Sequence, residues 1–250
     1  MKNLRQCVCV MVAAILVISC AGGSKTAKKD KAVSIEEHFQ LGFSAAEKGN
    51  LTEAISEYRT VLKMDRKHLR AHLNLGIAYG RQREWKKEIS EFKKAIRIDP
   101  NFAEGYFNLG VAYNEKGDLK EASAQYQKAL KINPNYVEAH NNLGNIYFRK
   151  RQLDEALLEY QKAIEIKPDY ARGHYNLGNV YREQGKVEEA IGSFEKALEI
   201  NPKYAEAHYA LAVIYYGKQE FKLAFQHADQ AGKLGIVVDP KFLEQLKPYR

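Results

Sequence analysis

The chain is poor in cysteine, and its three cysteines all lie within the first twenty residues, at positions 7, 9 and 20. The 230 residues that follow contain no thiol, which excludes a disulfide, a cysteine metal site and a thiol nucleophile from that part of the chain. Proline is also scarce, with six residues in 250. Only one apolar run reaches eleven residues, from Val8 to Ile18.

This apolar run is too short for a comfortable membrane span. A helix of eleven residues extends over about 17 Å, roughly half of the hydrocarbon core of a bilayer. Lys2 and Arg5 precede the run without any acidic residue, which is typical of an export signal. The run ends in the sequence VISC, whose last residue is Cys20, and this ending resembles the lipobox of bacterial lipoproteins.

The resemblance implies that residues 1–19 are a signal peptide and that Cys20 is the lipidation site. In such lipoproteins the cysteine thiol receives a diacylglycerol, the peptide is cut before the cysteine, and the new amine is often acylated. Ala21 follows the cysteine where an aspartate would favour retention in the inner membrane, so we expect an outer-membrane protein facing the periplasm. An uncleaved apolar anchor and an ordinary secretory signal are the alternatives.

Residues 20–33 are predicted to form a flexible basic tether after the lipidated cysteine. Gly22 and Gly23 loosen the chain, and four lysines follow within the next eight residues. A flexible segment of this length averages on the order of 20 Å from end to end. The lysines either rest against anionic lipid headgroups or simply keep the spacer solvated.

From residue 34 onwards the sequence repeats itself every 34 residues. A leucine recurs as the first core position, and the next residue is a glycine in five of six repeats. Later in each unit come a small residue, an aromatic ring and a second small residue. The recurrent glycines are Gly42, Gly76, Gly110, Gly144 and Gly178, and the rings are Tyr58, Phe92, Tyr126, Tyr160 and Phe194.

The period and the pattern resemble those of the tetratricopeptide repeat. The resemblance implies an all-α, right-handed superhelical solenoid of helix-turn-helix units. Six units would occupy residues 34–67, 68–101, 102–135, 136–169, 170–203 and 204–237, and residues 238–250 are predicted to form a C-terminal capping helix.

Glycine weakens a helix by up to about 1 kcal/mol, so its recurrence on a helical face needs a physical reason. We interpret it as the point where the second helix of each unit approaches most closely. One departure from the pattern is Glu88, which takes the small-residue position held by Ala54, Ala122, Ala156, Ala190 and Ala224. A carboxylate there is costly unless it reaches water or a base.

An asparagine also recurs every 34 residues, immediately before the core leucine. Asparagine is a poor helix former, and its amide suits the hydrogen-bonding groups of a peptide backbone. In the resembled family this position lines a concave groove that binds extended peptides. The predicted groove residues are Asn74, Asn108, Asn142 and Asn176, with Asn141, Asn145, Asn179, Tyr175, Tyr209 and Arg182 beside them. Alternatively, these amides only bridge adjacent repeats.

No enzyme motif is present, and we expect no catalytic residue, cofactor or metal. His68 and His72 are spaced as a possible metal pair but lack a third ligand nearby, and five histidines in one repeat position are interpreted as packing residues. Basic clusters such as Arg81 with Arg83 and Arg149 with Arg151 indicate either a solvated rim or an acidic partner.

The sequence therefore predicts a membrane-anchored scaffold that binds protein or peptide segments in the bacterial cell envelope and assembles an envelope machine. Nucleic acid and small-molecule substrates are not expected partners. The architecture is similar to that of the pilotin lipoproteins of type IV pili. An alternative function is that of a structural accessory subunit of an envelope or cell-wall enzyme complex, without a peptide groove.

Overall fold

The computed structural model describes the backbone from residue 25 to residue 250 and the side chains from residue 34. Within that part of the chain there are thirteen α-helices, a final 3₁₀ helix and no strand. Cys20, the signal peptide and the first residues of the predicted tether lie outside the described residues. The helices are α1 (Lys25–Glu47), α2 (Leu51–Met64), α3 (Leu69–Arg81), α4 (Trp85–Ile98), α5 (Ala103–Lys116), α6 (Leu119–Ile132), α7 (Val137–Arg149), α8 (Leu153–Ile166), α9 (Ala171–Glu183), α10 (Val187–Ile200), α11 (Ala205–Gly217), α12 (Phe221–Lys233) and α13 (Pro240–Leu246), followed by the 3₁₀ helix Lys247–Tyr249.

The helices pack in the order in which they occur, as six antiparallel pairs from α1–α2 to α11–α12, each stacked on the next. The fold class predicted from the repeat is confirmed: the described chain is an all-α solenoid of six helix pairs with a terminal capping helix. Four of the second helices end two residues before a proline, at Pro100, Pro134, Pro168 and Pro202. Proline has no backbone N–H and cannot continue the helix.

The first helix differs from the prediction at its beginning. It starts at Lys25, so residues 25–33, which the sequence analysis places in a flexible tether, are helical. Lysine and alanine dominate this segment, and no glycine or proline occurs between Ser24 and Leu41. Both residue types are good helix formers, which explains the extension.

The recurrent glycines lie directly against the aromatic ring of the paired helix. A side-chain carbon placed on Gly76 would come within 2.5 Å of the Phe92 ring, and one on Gly144 within 2.6 Å of the Tyr160 ring. Both rings are almost completely buried. The prediction of a close approach is confirmed, and the approaching group is the ring itself rather than the opposite backbone.

The turn between the two helices of a pair uses the left-handed backbone region. Gly49, Gly117 and Gly185 take this conformation in alternate repeats, with φ between 74° and 90°. In the intervening repeats Arg83 and Arg151 adopt φ near 60°. A side chain in this region costs roughly 1–2 kcal/mol, so these two turns are strained relative to the glycine turns.

The two ends of the solenoid are finished differently. Leu41 is 54% exposed, whereas the equivalent leucine of every later repeat is buried, because no helix pair precedes the first one. At the other end α13 begins at Asp239, whose side chain accepts a hydrogen bond from the Lys241 N–H at 2.8 Å. Leu246 of α13 is fully buried against the last pair. The capping helix therefore closes only the C-terminal end.

No helix in the region from residue 25 to residue 250 has both the length and the apolar character needed to cross a membrane.

Substitution of Gly144 by alanine tests the ring contact. We expect Gly144→Ala to lower the free energy of unfolding by about 1–3 kcal/mol, because the added methyl group overlaps the buried Tyr160 ring. The matched control is Gly192→Ala, since Gly192 lies in α10 with open space around it. That change should stabilise the protein by up to about 1 kcal/mol through helix propensity. Urea unfolding followed by circular dichroism measures both, and equal stabilisation by the two changes would contradict the packing model.

Candidate partner-binding groove

A groove of about 320 Å³ crosses the first helices of repeats 3, 4 and 5. We call it the asparagine groove, because five of its eight lining residues are asparagines. Helices α5, α7 and α9 supply seven of these residues, and the second helix α8 supplies the tyrosine. The lining residues are Asn114, Asn142, Asn145, Phe148, Arg149, Tyr160, Asn176 and Asn179.

Asn176 connects repeat 5 to repeat 4. Its amide nitrogen donates to Asn141 Oδ1 at 2.8 Å and to Asn145 Oδ1 at 3.2 Å. Asn145 Oδ1 also accepts a hydrogen bond from the Tyr160 hydroxyl at 2.7 Å. For Asn176, the interpretation as a bridge between adjacent repeats is therefore correct, and the residue lines the groove at the same time.

Asn142 and Asn74 face the hydroxyl of a buried tyrosine in the preceding repeat. Asn142 Nδ2 donates to the Tyr126 hydroxyl at 3.5 Å, and the Asn74 side chain interacts with the Tyr58 hydroxyl. Where the preceding ring is the phenylalanine at position 92, Asn108 instead donates to the Glu104 carbonyl of its own helix at 2.8 Å. The recurrent asparagine thus provides a polar partner for a hydroxyl that burial would otherwise leave unsatisfied.

Two predicted groove residues are not available to a partner. Asn141 is 1% exposed, and its amide bonds to Asn142 and Asn176. Tyr175 packs its ring against Phe194 and Tyr204, with centroids 5.6 and 4.9 Å apart. Both predictions are wrong, because this repeat position faces the following repeat. The sequence carried the signal: the same position is Phe39, Leu73 and Phe107 in earlier repeats.

Tyr209, which holds this position in the last repeat, is 36% exposed, since no complete repeat follows it. Arg182 is exposed at the end of α9, beyond the lining of the groove. Neither residue is brought into the asparagine groove. They remain exposed groups on the later repeats.

The groove still offers unused hydrogen-bonding capacity. Among the described residues, the amide nitrogen of Asn145 and the amide oxygen of Asn176 have no hydrogen-bond partner, and the Asn179 side chain has none. A donor and an acceptor therefore stand on adjacent repeats. An extended peptide presents N–H and C=O groups alternately along its edge and matches such a pair.

The rim arginines contact neighbouring repeats. Arg149 donates to Asn114 Oδ1 at 3.2 Å, and Arg81 donates to the Ala46 carbonyl at 3.1 Å. Arg151 forms an ion pair with Glu183 of the next repeat. Exposed contacts of this kind contribute little stability individually, and they leave Arg149 with further donors beside the groove.

The recurrent histidines connect three elements each, which the sequence analysis missed. His140 Nδ1 lies 2.5 Å from Glu159 of the paired helix, and Nε2 lies 2.9 Å from the Pro134 carbonyl in the preceding loop. His72 makes equivalent contacts with Glu91 and the Arg66 carbonyl. The histidine–glutamate spacing of nineteen residues was the available signal.

These contacts set the charge of the buried glutamates. Burial alone raises the pKa of Glu159, but hydrogen bonds from His140 and Lys162 and their charges outweigh it, so the pKa lies below its ordinary value. The suggested metal pair does not form: His68 Nδ1 accepts from the Ala71 N–H at 3.1 Å, and both nitrogens of His72 are engaged.

Glu88 is the buried carboxylate that lacks such partners. It is 5% exposed, and its Oε2 atom is buried without a hydrogen bond. The carboxylate fills the space above Gly80, where an added side-chain carbon would lie 2.5 Å from Oε1. Burial raises the pKa of Glu88 to about 7, and the negative charge of Glu115 adds to the rise.

Comparison with protein families places the repeat pattern in a known group. Models described as TPR repeat and tetratricopeptide repeat match residues 39–103, 91–122, 112–151, 144–185 and 178–219. The crystal structure of MamA has 31% sequence identity to this chain and a TM-score of 0.59, and the match covers 69% of this chain and 94% of MamA. The chain belongs to the tetratricopeptide repeat (TPR) family.

Two further solved structures share the TPR fold at lower identity. PilF of Pseudomonas aeruginosa is 16% identical with a TM-score of 0.76, and the match covers 88% of this chain and all of PilF. YrrB, described as a TPR protein with an unusual peptide-binding site, is 22% identical with a TM-score of 0.60, covering 76% of this chain and 97% of YrrB. A search of curated proteins finds no match.

TPR proteins generally act as scaffolds for protein interactions, and this conclusion applies to the chain at the level of the family.

Replacement of Glu88 by alanine tests the energetic cost of the buried carboxylate. The folded protein keeps the Glu88 proton between about pH 4.5 and pH 7, whereas the unfolded chain releases it. The stability contributed by Glu88 therefore falls as the pH rises through this window. We expect Glu88→Ala to stabilise the protein more at pH 8 than at pH 4, by at most about 3 kcal/mol.

Urea unfolding at the two pH values measures this difference. Glu84→Ala is the matched control, since it removes a carboxylate of the same helix boundary that is paired with Lys87 and partly exposed. A gain for Glu88→Ala that does not change with pH would show that the buried carboxylate is not the cause.

Proposed function

We propose that this TPR protein is a lipid-anchored scaffold of the bacterial cell envelope that binds an extended segment of a partner protein in the asparagine groove. Holding such a segment near the membrane would serve the assembly of an envelope machine. The observation that carries the proposal is the donor and acceptor pair on Asn145 and Asn176, with the unused amide of Asn179 beside it.

The groove is suited to a peptide backbone rather than to a particular side chain. Its amides read N–H and C=O groups, which every peptide has, and Arg149 adds a cation at the edge. YrrB provides a precedent within the fold, since it is described as having a peptide-binding site. Affinity for a specific partner must then come from groups outside the amide pair.

The proposed anchor rests on the sequence before the described residues. The apolar run, the VISC ending and the position of Cys20 are those of a lipoprotein precursor. Two or three acyl chains give stable attachment, whereas a single chain binds only marginally. Ala21 after the cysteine supports the outer membrane as the destination.

One observation favours the alternative function, a structural accessory subunit without a peptide groove. Asn142 and Asn176 already make contacts between repeats, so part of the amide set is explained by stacking alone. In that case the surface that contacts the enzyme complex would lie elsewhere on the solenoid.

Mass spectrometry of the mature N-terminal peptide tests the anchor. We expect diacylglycerol on the Cys20 thiol and no residue before it. Cys20→Ala should retain residues 1–19 and abolish the lipid modification. Intact Met1 in the wild-type protein, or an unmodified Cys20 at the terminus, would contradict the proposed anchor.

Site-specific photo-crosslinking in the source cells tests the groove. A photoreactive phenylalanine at position 179 should form an adduct with a partner protein, because Asn179 lines the groove and makes no contact that the substitution would break. The matched control places the same group at Gln161, an exposed position on the second helix of repeat 4. An adduct at position 161 without one at position 179 would favour the accessory-subunit function instead.

A further inference from the structure

Glu88 is an acidic side chain in a position that every other repeat with a small residue fills with alanine. Its carboxylate is nine-tenths buried, its Oε2 atom has no hydrogen bond, and it occupies the space that a side chain at position 80 would fill. A buried carboxylate without a cation or a donor is among the costlier features a fold can contain. Since packing alone would favour alanine here, the side chain calls for another explanation.

The cations nearest in sequence are engaged elsewhere. Lys87 pairs with Glu84 and places its ammonium over the Tyr79 ring at 5.3 Å from the centroid. Arg81 reaches the Ala46 carbonyl of repeat 1. Within residues 34–250 no lysine, arginine or histidine forms an ion pair with Glu88. The chain itself therefore leaves this carboxylate without a counter-charge.

The carboxylate lies at the continuation of the asparagine groove into repeat 2. Gly80 holds the repeat position that Asn114 holds in repeat 3 and Phe148 in repeat 4, and both of these line the groove. Because Gly80 has no side chain, the Glu88 carboxylate takes its place at this position. Glu115, next to Asn114, is near enough for its charge to act on Glu88.

We propose that Glu88, together with Glu115, binds a lysine or arginine side chain of the segment that lies in the asparagine groove. The inference rests on the proposed function and adds the partner chemistry that the amides cannot supply. A cation gives the orphaned Oε2 atom a charge-assisted hydrogen bond and offsets the repulsion between the two carboxylates. Glu88 would thereby determine specificity, whereas the amides hold the backbone.

The geometry also sets where the basic residue lies along the segment. From repeat 2 to the junction of repeats 4 and 5 there are two to three helix spacings of about 8–10 Å. An extended peptide covers about 3.3 Å per residue. The basic side chain should therefore precede or follow the residues at Asn145 and Asn176 by roughly five to nine positions.

A displayed library of random 16-residue peptides, selected on the full chain in detergent, tests the proposal. Peptides selected by the wild-type protein should contain lysine or arginine at one preferred position. The same enrichment should appear with Glu84→Ala, the matched loss of one carboxylate, and should disappear with Glu88→Ala. A synthetic peptide from the wild-type selection should bind Glu88→Ala about 10- to 100-fold more weakly.

The outcomes separate this inference from the proposed function. Since Glu88→Ala is expected to fold more stably at neutral pH, weaker binding by this variant cannot be attributed to unfolding, and a melting curve of each variant verifies this. Selected peptides without a basic preference, or an enrichment that persists in Glu88→Ala, would overturn the role of Glu88 while leaving the groove intact. Failure of the wild-type protein to select any peptide would contradict the proposed groove, and this inference with it.

Discussion

The contact between a glycine in the first helix and an aromatic ring in the second determines the geometry of this solenoid. With no side chain at Gly76 or Gly144, the ring of the second helix lies flat against the backbone of the first. The ring is then fully buried, and its para position points towards the next repeat. Where the ring is a tyrosine, the hydroxyl needs a polar neighbour, and an asparagine provides it. One close contact thus decides which residue types can follow.

Stacking and recognition use the same amides in this molecule. Asn176 bridges two repeats through its nitrogen and leaves its oxygen in the groove, and Asn145 does the reverse. A peptide bound there would add hydrogen bonds to a network that already couples repeats 4 and 5. Binding and inter-repeat stability are therefore linked, as expected when a ligand contacts groups that also stabilise the fold.

Much of the fold could be predicted because the 34-residue period reports packing directly. Gly144 and its equivalents mark the helix contact, and the prolines mark the helix ends. The site was harder to predict, because position within a repeat does not reveal which way an amide turns. Asn141 shares its residue type with the groove asparagines but shares its environment with Phe107, and burial follows the environment. The pairing of His140 with Glu159 was missed because it joins two helices through side chains rather than through periodic apolar residues.

The turns between paired helices follow a longer period than the core does. Glycine and arginine alternate at the left-handed position, and two residues earlier glutamate and arginine alternate as well. The rim therefore repeats every 68 residues, and equal charges stand two helix pairs apart, about 16–20 Å along the solenoid. Loss of a single 34-residue unit would keep the core in register but bring like charges together on adjacent turns. Loss of two units would preserve both patterns, so the rim behaves as though the smallest exchangeable unit were a double repeat.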